Sequence, residues 1–465
     1  VQSKCVPITT SCIEYVHPWT DSCWNSTAGL IIQASIRSVR IYTTVYLLSA
    51  LMRSAITYGR MPNKHDIKRT IQGILQSSAF LTTNGFAYIM FTCLLRKIFD
   101  SFHFMTIAYM PAFLASYAAI LIERPTRRTL LSLYVANVAT ETLWRMGVSR
   151  GIVYSVPNGQ AIIFGISSAV LLYFYRLGLH KVYKDSLFSI SRFVVGQAEE
   201  GPLKEPSELL FTSQSERPDN VGVSSHNNFR SISYIVQMYS MLIKKLKSQF
   251  RHESCPHSHS CIYYSAKDGM KLFLTGYGLQ VSLKVLLQLK RVIQLRMKWR
   301  KTLLGSDSFK LGLFLGGFSL IFKSVSCALR HITGVDRAIY SIPACLLASC
   351  AFTQYPDTTV ALYVMWKMLQ ITYNFGIEKG IVPKVPGFTI FLYCASTATL
   401  FHAATFEATN LRPSYWTFLQ KLSGGRVGVM DRRPLDIWGL NSYQAAQEIM
   451  KLTHTANEPI RFAFR

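Results

Sequence analysis

Eight segments of mainly apolar residues recur along this chain of 465 residues, and each holds about 20 residues, the length of a helix that crosses a bilayer. Two weaker apolar segments, near residues 38–57 and 270–288, contain the cations Arg40, Arg53 and Lys284, so they are expected to be further spans or interfacial helices. The pattern predicts an all-α, polytopic membrane protein with eight to ten membrane segments. The stronger segments lie at approximately 78–97, 104–122, 129–147, 160–177, 310–330, 337–354, 357–375 and 387–406.

The composition supports this class and excludes two others. Hydrophobic residues make up 49% of the chain and charged residues only 16%, whereas about 25% of the residues in soluble domains are charged. A soluble nucleic-acid-binding protein with a net charge of +26 would not also have a mean hydropathy of +0.20. A disordered chain would lack the 13% of aromatic residues. Apolar spans joined by basic loops account for both properties.

The two sets of four apolar segments are related by an internal duplication. Gly147–Pro157 and Gly376–Pro386 share their glycine, basic and Val-Pro positions at a constant separation of 229 residues. Upstream, Gly85–Phe86 and Gly317–Phe318 match at a separation of 232 residues. Because these matches keep their register through several apolar segments, we predict two homologous four-helix repeats. Repeats of this kind often face each other across a pseudo-symmetry axis, with a pathway between them.

The remaining sequence is organised around these repeats. Basic residues near 244–251 and 290–301 are expected to anchor the chain on anionic lipid. Nucleic acid is not an expected partner, because the aromatic residues lie mainly in the spans and not among these cations. The predicted regions are a Cys/His-containing N-terminal region with a weak apolar helix (1–60), the first repeat (70–180), a polar flexible linker (197–254), a second Cys/His element with a weak helix and a basic stretch (255–301), the second repeat (309–406) and a soluble C-terminal tail (407–465).

The third predicted span of each repeat carries polar side chains on one helical face, where lipid would penalise them. In one interpretation, Glu141 pairs with Arg145 on its own helix and stabilises the bundle. In the other, Glu141 and Lys367 approach each other in a polar seam between the repeats, which lines a conduit for an amphipathic cargo. These faces consist of Asn137, Glu141 and Arg145 in the first repeat and of Lys367, Gln370 and Asn374 in the second.

Small residues at the start of the second repeat favour close helix packing. Gly312 and Gly316 are four residues apart, so they share one face of the helix, and Gly317 follows directly. We expect this face to pack within one bundle in preference to forming a dimer interface. The sequence does not indicate an oligomeric state.

Two short stretches rich in cysteine and histidine precede the weak apolar segments. Thiolate and imidazole are the ligands that zinc prefers, but neither stretch has a Cys-x-x-Cys pair, so a structural zinc ion, a disulfide such as Cys12–Cys23 and ordinary loop residues all stay open. Half of the ten cysteines, among them Cys93 and Cys327, lie in apolar segments, where a thiol behaves as a small hydrophobe. The candidate metal ligands are Cys12, His17 and Cys23 in the first stretch and Cys255, His257, His259 and Cys261 in the second.

The sequence contains no recognisable catalytic constellation. Phosphate-binding loops, His-Glu-x-x-His pairs and Gly-x-Ser-x-Gly turns are absent from it. Ser423–Arg426 fails as a phosphate loop, because a lysine must follow its last glycine directly. We therefore expect a protein that is not an enzyme and needs no cofactor; a metal-dependent membrane enzyme that uses the Cys/His stretches is a weaker hypothesis.

Several longer segments resemble the transmembrane protein 135 family, also called peroxisomal membrane protein 52. The Cys12-x4-His17-x5-Cys23 spacing is similar to the cysteine-rich N-terminal region of that family. The four-span unit resembles the small subunits of the mitochondrial inner-membrane import translocases. The segments that carry the family resemblance are Gln76–Gly85, Ile120–Arg124, Ala139–Gly147 and Leu411–Trp416.

The resemblance implies a multi-pass protein of peroxisomal and mitochondrial membranes. It implies roles in mitochondrial fission and dynamics, in peroxisome organisation and in lipid homeostasis, and it brings no catalytic residues. Our first hypothesis is a non-enzymatic protein that engages the fission machinery or other organelle proteins through its linker and tail. The alternative is a transporter or translocation factor for a lipid, a fatty acid or another amphipathic substrate, which would move through the interface of the two repeats.

Overall fold

The computed structural model describes residues 6–56, 64–183, 185–201, 252–288 and 299–455, together with five single positions between 238 and 247. These residues form α-helices joined by turns and short 3-10 helices. Within the described ranges, the only β pairing is an isolated antiparallel bridge between Ile8 and Phe102. The expected all-α fold is confirmed for this part of the chain. Most of the predicted linker and the basic residues 290–298 lie outside the described residues.

Sixteen α-helices are named here in chain order. They are α1 (Cys12–Tyr15), α2 (Cys23–Ile56), α3 (Lys64–Phe99), α4 (Tyr109–Ile122), α5 (Pro125–Ser149), α6 (Gly159–Arg176), α7 (Ser186–Val195), α8 (Cys261–Leu287), α9 (Trp299–Leu304), α10 (Ser306–Thr333), α11 (Ser341–Ala348), α12 (Thr358–Glu378), α13 (Phe388–Phe406), α14 (Pro413–Ser423), α15 (Arg426–Val429) and α16 (Ser442–Leu452).

All eight stronger apolar segments are helical for most of their length. Three of the described helices, α3, α10 and α13, are long and apolar enough to cross a membrane. Shorter apolar helices occupy Tyr109–Ile122, Ser186–Val195 and Ala338–Gln354. The structure therefore agrees with a polytopic helical protein, and the count of eight to ten membrane segments stays a prediction.

The helices group into two compact units with unexpected boundaries. The first unit contains Val1–Ser155 and Gly380–Arg465, and the second contains Val156–Lys379. Thus α6, which the sequence places fourth in the first repeat, belongs to the second unit. In the same way α13, the fourth helix of the second repeat, belongs to the first unit. Each unit is completed by a helix from the other half of the sequence.

In the first unit, α13 packs against both α4 and α5, while α2 packs along α3. Polar contacts fix the position of α13: Asn84 Nδ2 donates to Tyr393 Oη at 2.8 Å, and Ser132 Oγ donates to the backbone carbonyl of Thr389 at 2.8 Å. The described part of the tail is folded and belongs to the same unit. Trp416, at the start of α14, is fully buried, and Trp438 Nε1 donates to the carbonyl of Val6 at 3.0 Å.

In the second unit, α6 packs against α11 and α12. The rings of Phe164 and Phe352 stack with centroids 4.3 Å apart. Gly165 allows α6 to approach the end of α11 closely, because an added Cβ would lie 2.6 Å from Ser349 Oγ. A side chain on α6 is therefore excluded at the point where the two halves of the sequence meet inside this unit.

The predicted glycine face of α10 lies against α8, within the second unit. A Cβ on Gly312 would lie 2.7 Å from the carbonyl oxygen of Phe273, and one on Gly316 would lie 2.7 Å from that of Gly269. Gly317 faces another way, toward Ala351. The two helices thus pack backbone to backbone through Gly312 and Gly316.

Candidate metal centres

Four side chains from separate parts of the sequence meet near the start of the first unit. Cys12 begins α1, His17 lies in the following loop, Cys23 begins α2, and Cys93 projects from α3. One potential ligand atom from each lies within 4.8 Å of the other three. We call these four residues the N-terminal cluster.

The imidazole of His17 is oriented for metal binding. His17 is fully buried, its Nδ1 lies 2.9 Å from the backbone carbonyl of Thr20, and its Nε2 lies 3.2 Å from Cys23 Sγ. A carbonyl oxygen can only accept, so Nδ1 carries the proton in this contact and Nε2 keeps its lone pair. This arrangement, with the second ring nitrogen held by an outer partner, is typical of a histidine that binds a metal.

A second group of the same composition lies in the second unit. Cys255, His257, Cys261 and Cys327 also bring one ligand atom each within 4.8 Å of the others. The sulfur atoms of Cys255 and Cys261 are 3.8 Å apart, and His257 Nε2 lies 3.4 Å from Cys327 Sγ. His257 Nδ1 lies 2.6 Å from the carbonyl of His259. We call these four residues the central cluster.

The two clusters are built in the same way. In each, two ligands precede a long helix, the third begins that helix, and the fourth comes from the next long helix. Cys23 and Cys261 begin α2 and α8, while Cys93 and Cys327 lie in α3 and α10. In each, the histidine turns Nδ1 toward a backbone carbonyl two or three residues later. Two separate parts of the sequence therefore form one Cys3His arrangement twice.

Sequence reasoning missed the fourth ligand of each cluster and included one residue that does not belong. Cys93 and Cys327 were grouped with thiols that act as small hydrophobes, yet both complete a cluster. His259 lies outside the central cluster, where its carbonyl accepts from His257 and its Nδ1 lies 2.7 Å from Ser258 Oγ. A signal for the missing ligands exists, since Cys93-x-x-Arg96 and Cys327-x-x-Arg330 are 234 residues apart.

Thiols in both clusters are predisposed to ionise. A hydrogen bond from Cys93 lowers the pKa of the Cys12 thiol to about 7. A hydrogen bond from Cys327 lowers the pKa of Cys255 to about 4, with a further contribution from His257. Thiolates are the form of cysteine that binds metals. Each cluster could therefore hold a metal ion, as its residue types alone suggest.

The central cluster has a feature that the N-terminal cluster lacks. His331 Nε2 lies 3.5 Å from Cys261 Sγ, beside a cavity of about 350 Å³ that Cys261, Cys327 and His331 help to line. The position that corresponds to His331 by the 234-residue separation is Lys97. One more nitrogen donor thus lies next to the central cluster.

A network of buried charges lies next to the central cluster, and sequence reasoning missed it. Arg330, three residues after Cys327, binds the carboxylate of Glu199 and also contacts Asp336 Oδ1 at 2.9 Å. Arg176 contacts Glu199 at 3.3 Å. Burial opposes ionisation of Glu199, but the attraction of Arg330 and Arg176 outweighs it and lowers the pKa to about 2. The network joins the residues after α7 to the helices of the second unit.

The predicted polar faces have partners close at hand. The carboxylate of Glu141 binds Arg145 on its own helix, as one interpretation expected, and also Arg412 at the start of α14. Lys367 Nζ donates to Asp185 Oδ2 at 2.8 Å. The other members of these faces differ in exposure: Asn137 is buried, Gln370 is partly buried and Asn374 is exposed.

Comparison with known proteins identifies the first of these regions. A family model described as the N-terminal cysteine-rich region of Transmembrane protein 135 matches residues 9–148. The matched region contains all four residues of the N-terminal cluster and the helices α1 to α4. No solved structure matches the chain.

Proposed function

Because the chain belongs to the transmembrane protein 135 family, we propose that it is a non-enzymatic, multi-pass protein of peroxisomal and mitochondrial membranes. In this proposal it regulates mitochondrial fission and dynamics and peroxisome organisation, with effects on lipid homeostasis. The observation that carries the proposal is the family match, which contains one complete Cys3His cluster. The apolar helices α3, α10 and α13 support the membrane location.

The membrane architecture is part of the proposal. Eight helices cross the bilayer as two related sets of four, and the weaker helices α2 and α8 lie at its surface or cross it as well. The matching positions of Gly147–Pro157 and Gly376–Pro386 support the duplication. The proposed likeness to the small subunits of the mitochondrial import translocases concerns these four-helix sets.

The two Cys/His clusters serve this function as structural centres. Four protein ligands fill the tetrahedral positions around a zinc ion, and no position is left for a substrate, whereas catalytic zinc keeps one position open. Partners such as the fission machinery would be engaged through the linker 197–254 and the tail 407–465, which extend from the helical sets.

The proposal is tested in cells that lack the endogenous protein. Re-expression of the full chain should restore the lengths of mitochondria and the number of peroxisomes, measured by fluorescence microscopy, and the tagged chain should resist carbonate extraction from both organelles. A variant without residues 205–235 should reach the same membranes but fail to restore their morphology. Normal morphology in cells that lack the protein, or extraction by carbonate, would contradict the proposal.

A transporter is the alternative, and the pair Lys367–Asp185 separates the two functions. A scaffold needs this pair only for stability, so Lys367→Asp combined with Asp185→Lys should preserve its activity by restoring the pair in reverse. A conduit for an amphipathic anion would lose flux in the same double variant, because the cation moves to another helix. The measurement is uptake of a labelled fatty acid by proteoliposomes.

A further inference from the structure

We propose that this chain binds two Zn²⁺ ions, one in each Cys3His cluster. Each ion is held by three thiolates and by Nε2 of one histidine: Cys12, His17, Cys23 and Cys93 in the first unit, and Cys255, His257, Cys261 and Cys327 in the second. The inference names the ion, its full ligand set and the stoichiometry. It does not depend on the role in organelle division.

The distances within the clusters fit a tetrahedral zinc site. Zinc binds sulfur at about 2.3 Å and imidazole nitrogen at about 2.0–2.1 Å, which separates two sulfur ligands by about 3.8 Å and a sulfur from a nitrogen ligand by about 3.5 Å. The observed separations are 3.8 Å for Cys255 and Cys261, 3.4 Å for His257 and Cys327, and 3.2 Å for His17 and Cys23. One ion fits between the donors with small shifts.

The same distances argue against a disulfide and against a larger metal cluster. A disulfide requires two sulfur atoms at about 2.05 Å, far less than the 3.8 Å between Cys255 and Cys261. Several irons would need thiolates around a wider space, whereas all donors here lie within 4.8 Å of one another. Three thiolates and one imidazole are a common ligand set for structural zinc.

The surroundings of each cluster also suit the charge of the occupied site. Zn²⁺ with three thiolates and a neutral imidazole has a net charge of −1, so a nearby cation would stabilise it. Arg96 and Arg330 each follow the helical cysteine by three residues, and their positive charges act on Cys12 and Cys255. Arg96 also donates to the carbonyls of Thr9 and Thr10, which holds the first loop against α3.

Each ion would join a short loop to a helix far along the sequence. In the first unit the loop ligands precede Cys93 by about 70 residues, and in the second they precede Cys327 by a similar distance. Zinc therefore acts as the cross-link that holds each loop on its unit, and metal binding contributes directly to folding. Binding displaces the remaining thiol protons to solvent.

The test is metal analysis of the full chain, purified in detergent without added metal. We expect two zinc ions per chain by mass spectrometry of the elements, and X-ray absorption of the zinc should show three sulfur ligands and one nitrogen ligand. Cys93→Ser and Cys327→Ser should each retain one ion, and the double variant should retain none. Two controls should keep both ions: His259→Ala, which removes an imidazole outside the cluster, and Cys350→Ser, which removes an exposed thiol.

If a ligand variant fails to fold, the wild-type chain still decides the question. Reconstitution with Co²⁺ in place of zinc should give the intense absorption bands of a tetrahedral thiolate site, which saturate at two equivalents. The proposal is overturned if the purified chain contains no zinc and peptide mapping finds Cys12–Cys23 or Cys255–Cys261 disulfides. It is also overturned if zinc is bound through oxygen ligands or if copper occupies the sites in the same ratio.

Discussion

At the residue scale, the orientation of two histidines decides what the cysteine-rich stretches can do. The sequence brings cysteine and histidine together, but only the backbone conformation turns Nε2 of His17 and His257 inward and leaves His259 outside. The fourth ligands, Cys93 and Cys327, could not be predicted from local spacing, because a thiol in an apolar helix usually has no role beyond packing. Their identification required the tertiary contact between each loop and a helix about 70 residues away.

The buried carboxylate of Glu199 gives a prediction at the same scale. Glu199→Gln should lower the free energy of unfolding of the second unit by about 3–5 kcal/mol, because it leaves Arg330 and Arg176 buried without their shared anion. Thermal unfolding in detergent, followed by intrinsic fluorescence, measures the change. Asp307→Asn is the control, since Asp307 pairs with Lys310 at an exposed position and its loss should not alter the melting temperature. Equal melting temperatures for Glu199→Gln and the wild type would refute the prediction.

The effect of Glu199 should depend on pH in a defined direction. Its pKa is lowered in the folded protein to about 2 from an ordinary value of 4.5, so its contribution is complete above pH 4.5 and is lost as the pH falls toward 2. The difference in stability between the wild type and Glu199→Gln should therefore narrow below pH 4.5. A difference that grows on acidification would show that another group is responsible.

At the scale of the helices, the sequence predicts the elements well and their partners poorly. Every strong apolar segment is helical, and small residues mark close packing where Gly312 and Gly316 meet α8. The exchange of α6 and α13 between the two units was not predictable, since homologous repeats offer each fourth helix two similar surfaces. Specific contacts such as Asn84 with Tyr393, and Gly165 with Ser349, show which surface is used.

The contact between α8 and α10 can be tested with two glycines of one helix. A Cβ on Gly276 would lie 2.8 Å from the carbonyl oxygen of Leu311 and 2.9 Å from Gly312 Cα, whereas one on Gly278 would meet nothing within 4 Å. Gly276→Val should therefore destabilise the second unit by about 1–3 kcal/mol or more through overpacking. Gly278→Val, the matched control, should be nearly neutral. Thermal unfolding compares the two, and equal effects would contradict the backbone-to-backbone contact.

At the scale of the whole molecule, each unit requires both halves of the sequence. The first unit takes α1 to α5 from the first half and α13 to α16 from the second, and the second unit takes α6 and α7 from the first half. The predicted contiguous repeats could not reveal this, because sequence similarity records descent and not the final packing partner.

A chain divided in the linker tests this arrangement. Co-expressed fragments 1–220 and 221–465 should be recovered together when either is purified through an affinity tag in mild detergent, because both units depend on helices from both fragments. A second fragment shortened to 221–379 lacks α13 and the tail, so it should reconstitute the second unit but leave the first unit protease-sensitive. Recovery of each fragment alone would contradict the division into these two units.

The late position of α13 in the chain has a consequence for biosynthesis. The ribosome completes α2 to α5 long before residues 388–406 emerge, so the first unit must wait in the membrane with an open side while more than half of the polypeptide is still being made. Insertion chaperones would have to shield that side during translation. A premature stop codon anywhere before residue 388 would therefore damage the earliest-made helices as well as the missing ones, and the truncated product should be a substrate for membrane quality control.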